Sequence, residues 1–188
     1  MRFTIVVSYL IAVLRKSRKQ NMRIGVVAMR RFWIFASALM LLVSGCDRGD
    51  SPSNIGRKAP QFTLSDGTVS TDLSKLRDQV VVVNLWATWC PTCVEELPSL
   101  LELHRRMPHL AIVAISIDQD DVVYRNFLTQ HHVDLITVRD ASQQVNAMYG
   151  TAQIPESYII DRNGILRRKL VSAQDWTNPE IISFLNNM

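Results

Sequence analysis

The sequence predicts an α/β domain of three layers, α/β/α, with an N-terminal β-hairpin extension, and three observations carry that prediction. Residues 79–85 (Gln-Val-Val-Val-Val-Asn-Leu) are a continuous, largely β-branched apolar run, the pattern of a strand buried on both faces. Soon after comes a helix-spaced segment, with Val94, Leu97 and Leu101 in one row and Leu100, Leu103 and Met107 in a second. The order of elements, strand, helix, strand and then a hairpin and a closing helix, is that of a layered α/β domain.

Taken in order, residues 61–64 and 67–70 read as two short strands around the Asp66-Gly67 turn. The strand over 79–85 follows, then the helix after Cys93, which Pro98 is expected to interrupt and kink. Residues 110–117 read as a second buried strand and 122–131 as a helix. Residues 157–160 and 165–170 flank Asp161-Arg162-Asn163-Gly164, a strong hairpin turn. Residues 179–187 form the closing helix, with Asn178 as its cap and Pro179 at its first position. No internal repeat or low-complexity stretch interrupts this order.

Charge is distributed unevenly along the 188 residues. The formal net charge is +4, yet eight of the 21 Lys and Arg precede Cys46 and none of the 17 Asp and Glu do. From Asp47 onward, 13 basic residues face 17 acidic ones, a net of −4. The basic pI of about 9.2 therefore belongs to the leader. The domain lacks the basic surface that nucleic-acid binding requires, so no nucleic-acid partner is expected.

The leader, residues 1–46, carries a secretory pattern. Arg30 and Arg31 precede an apolar stretch over 32–43, too short to span a bilayer, which meets Ser44, Gly45 and Cys46. Val43-Ser44-Gly45-Cys46 resembles a bacterial lipoprotein box, which makes Cys46 a candidate for lipid attachment and the membrane a partner through that anchor. The alternative is a plain signal peptide with an incidental cysteine. In lipoproteins of many Gram-negative bacteria, Asp after the lipid-bearing cysteine accompanies retention in the inner membrane, and Asp47 stands there. The first 28 residues hold a second apolar run and the basic cluster Arg15, Lys16, Arg18 and Lys19, and translation from Met22 or Met29 would account for them. Residues 47–56 are polar and turn-rich and read as a flexible tether. The folded domain is then 57–188.

Only three cysteines occur, too few for a disulfide-stapled scaffold. Cys90 and Cys93 form a C-x-x-C pair between the buried strand and a helix N-terminus. Unpaired helix N–H groups favour negative charge there, so the first thiol ionises more readily than a free cysteine. Cys90 is expected to be the exposed nucleophile and Cys93 the resolving thiol, the pair working as a redox-active disulfide without another cofactor. Pro91 suits the first helical position because its missing N–H would be unpaired anyway. Three other readings compete. A structural disulfide would not need Trp86 and Trp89 around it. A c-type haem site would need His where Val94 stands, and a zinc half-site lacks its second ligand pair, so no metal is expected.

The run Val83 to Cys93 (Val-Asn-Leu-Trp-Ala-Thr-Trp-Cys-Pro-Thr-Cys), then Glu96 and Pro98, then Gln153-Ile154-Pro155-Glu156-Ser157-Tyr158-Ile159-Ile160-Asp161 with Gly164, resembles the TlpA/ResA family of thioredoxin-like proteins. The resemblance covers roughly residues 57–187. It implies a thioredoxin fold and reversible dithiol/disulfide chemistry outside the cytoplasm, with protein thiols and disulfides as substrates and a transmembrane thiol reductase as electron donor. Pro91 and Thr92 between the cysteines resemble the cytochrome c maturation branch. Pro155 matches the family's cis-proline beside the active-site disulfide, the alternative being an ordinary loop proline. Ile154 resembles the apolar residue that shields the thiols in thioredoxin, and Trp89 is expected on the partner-facing rim. Cytoplasmic thioredoxins carry a buried Asp where this chain has Asn84, which cannot act as a base. Glu96 matches a family glutamate three residues after Cys93 and is the candidate for handling its proton, whereas Glu95 points away and is expected in solvent.

Other functions keep separate signatures. A copper chaperone of related fold would use C-x-x-x-C with a distant His, and His131-His132 read better as surface residues. A peroxiredoxin, a disulfide oxidase and a non-catalytic binding module remain the alternatives to a reductase.

Overall fold

The computed structural model describes residues 54–188, so the leader, Cys46 and most of the tether lie outside the described residues. Strand β1 (Thr63–Ser65) and β2 (Ser70–Asp72) pair antiparallel in a small sheet of their own. A one-turn 3-10 helix (Leu73–Leu76) follows. Then come β3 (Val81–Trp86), α1 (Pro91–Arg106), β4 (Ala111–Ser116), α2 (Asp121–Gln130), β5 (Ile136–Arg139), α3 (Gln144–Tyr149), β6 (Glu156–Ile160), β7 (Leu166–Val171) and α4 (Pro179–Asn186). The main sheet has the order β5-β4-β3-β6-β7, parallel across β5, β4 and β3 and antiparallel across β6 and β7.

Every residue of β3 and β4 is buried, which is why both read as unbroken apolar runs. Alternate residues of a strand face opposite sides of the sheet, and the contacts sort the helices accordingly. On one side Trp86 packs on Tyr124 and Phe127 of α2, and Asn84 meets Glu96 of α1. The Arg168 guanidinium lies over the Phe184 ring, 3.9 Å from its centroid, which brings α4 to the same side. On the other side Tyr158, paired with Val83, meets Tyr149 of α3, and Tyr149 meets Phe62 ahead of β1. These are the three layers expected from the sequence, with the hairpin as an N-terminal addition.

The caps are local consequences of sequence. Asn178 accepts the Glu180 N–H and Pro179 follows as the first helical residue of α4. Asp120 accepts the N–H groups of Val122 and Val123 at the start of α2. In the β6–β7 turn Asp161 accepts the N–H groups of Asn163 and Ile165, and Gly164 takes the positive φ of 73° that closes the turn.

Several expectations need correction. The strands expected at 61–64 and 67–70 start two and three residues later and end one and two residues later, because Asp66 accepts the N–H groups of Thr68 and Val69 and extends the turn. Pro98 stands inside α1 without ending it: the helix continues to Arg106, carried by buried Leu97, Leu100 and Leu103. Strand β5 and helix α3 were not expected at all. Strand β5 has only four residues, and α3 has six and follows an N-cap residue, Gln143, that is left-handed and offers no side-chain cap.

Candidate active site

The end of β3 delivers the chain to the surface through Ala87, Thr88 and Trp89, and Cys90 then becomes the N-cap of α1. Asp118, at the end of β4, holds this turn. Its carboxylate accepts the Thr88 N–H at 3.0 Å and the Thr88 hydroxyl at 2.7 Å, and the Ser116 hydroxyl donates to it at 2.6 Å. Arg139 of β5 steadies the next residues, donating to the carbonyls of Asp118 and Gln119 and to the Asp121 carboxylate.

Cys90 and Cys93 are joined as a disulfide. The Cys93 N–H donates to Sγ of Cys90 at 3.2 Å, and the Thr92 hydroxyl approaches the same sulfur at 3.5 Å. The first sulfur therefore sits where the free N–H groups of a helix end can stabilise a thiolate. Pro91 occupies the first helical position, as its fixed φ and missing N–H allow. Ile154-Pro155 is a cis peptide bond, and the Ile154 carbonyl oxygen lies 3.8 Å from Sγ of Cys90. The loop before β6 is thus beside the disulfide, although it is more than 60 residues away in sequence.

The expected exposure of Cys90 is not found in this oxidised form. Cys90 is 5% exposed and Cys93 4%, because the two sulfurs are bonded to each other and the first lies against the Ile154 carbonyl. Trp89, at 64%, is the exposed group of the site. The two tryptophans divide clearly: Trp89 forms the rim, whereas Trp86 is buried against α2.

Beneath the disulfide, Glu96 is 4% exposed. Oε1 accepts the Trp176 indole N–H at 2.6 Å and the Gln174 amide N–H at 3.2 Å, and Oε2 lies 3.4 Å from the Asn84 amide nitrogen, which donates. Asn84 also donates to the Ser157 hydroxyl at 2.9 Å. Burial pushes the Glu96 carboxyl above the ordinary glutamate range, and the donors from Trp176, Gln174 and Asn84 partly offset this. Cys93, Glu96 and Asn84 line one small pocket under the helix, with Trp86, Leu97 and Leu100. Glu95, one residue away, faces solvent as its helical angle requires.

The structure thus brings together Asn84, Trp89, Cys90, Pro91, Thr92, Cys93, Glu96, Ile154 and Pro155, whereas His131 and His132 are surface residues at the end of α2. Sequence reasoning missed Asp118, Trp176, Gln174, Ser157 and a buried ion pair next to Pro155. In that pair Glu156 is 1% exposed, Lys169 Nζ lies 2.6 Å from its Oε1, and the Tyr158 hydroxyl donates to Oε2 at 3.1 Å. A carboxylate one residue before the strand segment expected at 157–160 was the available signal for it.

The arrangement can perform thiol–disulfide exchange: a thiolate-favouring helix end, a second sulfur within bonding reach, a backbone edge beside them and an aromatic rim. Comparison with known proteins agrees. A model of the AhpC/TSA family matches residues 55–169. The thiol:disulfide interchange protein DsbE of Pseudomonas aeruginosa is 31% identical over 149 residues, covering 76% of this chain and 82% of that one. The thiol-disulfide oxidoreductase ResA of Bacillus thuringiensis is 29% identical over 123 residues, 64% of this chain and 71% of that one. Among solved structures, a DsbE-type thiol:disulfide interchange protein from Chlorobium tepidum superposes with a TM-score of 0.62 at 27% identity, covering 71% of this chain and 93% of that one. A second C. tepidum structure, of the thioredoxin family, gives a TM-score of 0.61 at 22% identity, covering 68% and 94%. The chain, a thioredoxin fold with its C-x-x-C pair at the head of α1, belongs to the AhpC/TSA family and is a thiol-disulfide oxidoreductase of the ResA/DsbE type.

Proposed function

We propose that the protein is an extracytoplasmic reductase of protein disulfides, tethered to the cytoplasmic membrane by a lipid on Cys46. The observation that carries the redox part is the Cys90–Cys93 disulfide at the N-terminus of α1, with the Ile154 carbonyl 3.8 Å from the Cys90 sulfur. In the reduced protein the Cys90 thiolate attacks a partner disulfide, forms a mixed disulfide and releases one partner thiol. Cys93 then attacks the Cys90 sulfur, releases the second partner thiol and restores the Cys90–Cys93 disulfide. Two electrons pass to the partner, and no cofactor beyond the cysteine pair takes part. Glu96 accepts the Cys93 proton as that thiol becomes nucleophilic. Trp89 and the loop at Ile154 and Pro155 face the partner.

The location rests on the sequence: the basic and apolar leader over 29–46, Cys46 after small residues, Asp47 behind it, and a tether over 47–56 before the domain at 57–188. Substrates in the cytochrome c maturation pathway fit the Pro91-Thr92 pair between the cysteines and the likeness to ResA and DsbE proteins. A transmembrane thiol reductase supplies the electrons. The test is the equilibrium reduction potential of the Cys90–Cys93 pair. A reductase has a value near that of thioredoxin, about −270 mV, and a value near that of the oxidant DsbA, about −120 mV, would reverse the proposed direction.

A further inference from the structure

The two oxygens of Glu96 are held unequally, and both donors to Oε1 come from one segment remote in sequence. The Trp176 indole and the Gln174 amide lie on the connection between β7 and α4, some 80 residues after Glu96. That connection is fastened to α1 one turn below Glu96. The Ser99 hydroxyl reaches the carbonyls of Glu96 at 2.9 Å and Gln174 at 3.2 Å and accepts the Trp176 backbone N–H at 3.2 Å. The Gln174 side chain closes the loop on itself, donating to the Val171 and Ser172 carbonyls. Trp176 is fully buried.

Two N–H donors on one carboxylate oxygen occupy its lone pairs and hold negative charge there. A proton on Oε1 would displace one of them. Among the described residues Oε2 has only the long 3.4 Å contact with Asn84, whose amide is engaged by Ser157 at 2.9 Å. Asn84 and Cys93 line the same pocket as Glu96.

We infer that Trp176, with the Gln174 amide, is a positioning residue that fixes Oε1 of Glu96 as a permanent acceptor and leaves Oε2 as the oxygen that takes and returns the Cys93 proton. The inference rests on the proposal that Glu96 handles this proton. In the step it serves, the Cys93 S–H proton moves to Oε2, the Cys93 sulfur bonds to that of Cys90, and the bond from Cys90 to the partner breaks. The partner sulfur leaves with the electron pair and is protonated from Oε2 or from water. The groups that meet Glu96 are Cys93 and Ser99 from α1, Asn84 from β3 with Ser157 of β6 behind it, and Gln174 and Trp176 from the connection. Its hydrogen-bond donors among the described residues are neutral; each favours the ionised carboxylate, against the burial that disfavours it.

The experiment measures the pH profile of mixed-disulfide resolution in single turnover for wild type, Trp176→Phe, Glu96→Gln and the double variant. Trp176→Phe keeps an apolar ring and removes the indole N–H, so the ionised carboxylate loses a donor. The profile midpoint attributable to Glu96 is expected to move up by about one pH unit. In the Glu96→Gln background the same substitution should move nothing. An unshifted midpoint in folded Trp176→Phe, or an equal shift with and without Glu96, would overturn the inference and leave Trp176 as packing. A Glu96→Gln profile identical to wild type would instead sink the proton-handling reading, and this inference with it. Should Trp176→Phe fail to fold, Ser99→Ala loosens the same connection without opening the core. An upward shift of smaller size is then expected, and no shift would overturn the inference.

Discussion

Asp118 holds Thr88 with both carboxylate oxygens, taking its backbone N–H at 3.0 Å and its hydroxyl at 2.7 Å. Through this pair the end of β4 fixes the turn from which Trp89 and Cys90 project. Asp118 is 2% exposed, and these bonds, with that from the Ser116 hydroxyl, satisfy its buried oxygens. Asp118→Ala leaves the Thr88 N–H and the Ser116 hydroxyl without this acceptor and should cost about 2–4 kcal/mol of stability in urea denaturation. Asp118→Asn keeps one acceptor oxygen and should recover part of the loss. A cost below 0.5 kcal/mol for Asp118→Ala, the order of a surface substitution, would show that the turn is held by other contacts.

Glu96 gives a pH dependence with a definite sign. Burial raises its carboxyl above the unfolded-state value of about 4.3. Its contribution to stability is therefore complete below that value and is lost as pH rises through the higher folded-state value. Relative to Glu96→Gln, the wild-type unfolding free energy should fall as pH rises from 4 towards neutrality. The same variant should release mixed disulfides more slowly and lower the apparent thiol pKa, since the coupled carboxylate no longer opposes the thiolate. Parallel stability curves across this range would mean that folding leaves the Glu96 carboxyl at its unfolded-state value.

The proposed lipid anchor is tested at Cys46. The mature wild-type protein should begin at a lipid-bearing Cys46 and fractionate with membranes. Cys46→Ser should release it or stall its processing. Soluble wild-type protein starting at another residue, identified by intact-mass analysis, would contradict the anchor.

The sequence made legible those parts of the fold whose cause is local. Residues 79–85 and 110–117 are largely apolar because both strand faces are covered: β4 lies within the second run, and β3 takes up most of the first and ends one residue past it at Trp86. The Asp161–Gly164 turn and the Asn178 cap use hydrogen bonds within a few residues, which a sequence displays directly. Strand β5 and helix α3 are too short to carry a period and take their conformation from neighbours in the sheet and core.

The site divides in the same way. Cys90, Pro91 and Cys93 were readable because a helix end and its chemistry sit within four residues. Asn84 and Glu96 were readable as a substitution pattern, and the structure joins them through a 3.4 Å contact. Trp176 and Asp118 were not readable: each acts on a partner 80 or 30 residues away, and nothing in a tryptophan or an aspartate before a helix signals such a target. The burial of Cys90 was missed as well, because it depends on the Ile154 carbonyl closing over its sulfur from another segment.

The central claim, that Cys90 attacks the partner and Cys93 resolves the intermediate, is tested most directly by mass-spectrometric mapping of trapped complexes. Cells carrying Cys93→Ala should accumulate mixed disulfides joined through Cys90, and cells carrying Cys90→Ala should accumulate none through Cys93. Complexes trapped through Cys93, or equal trapping by both variants, would contradict the account.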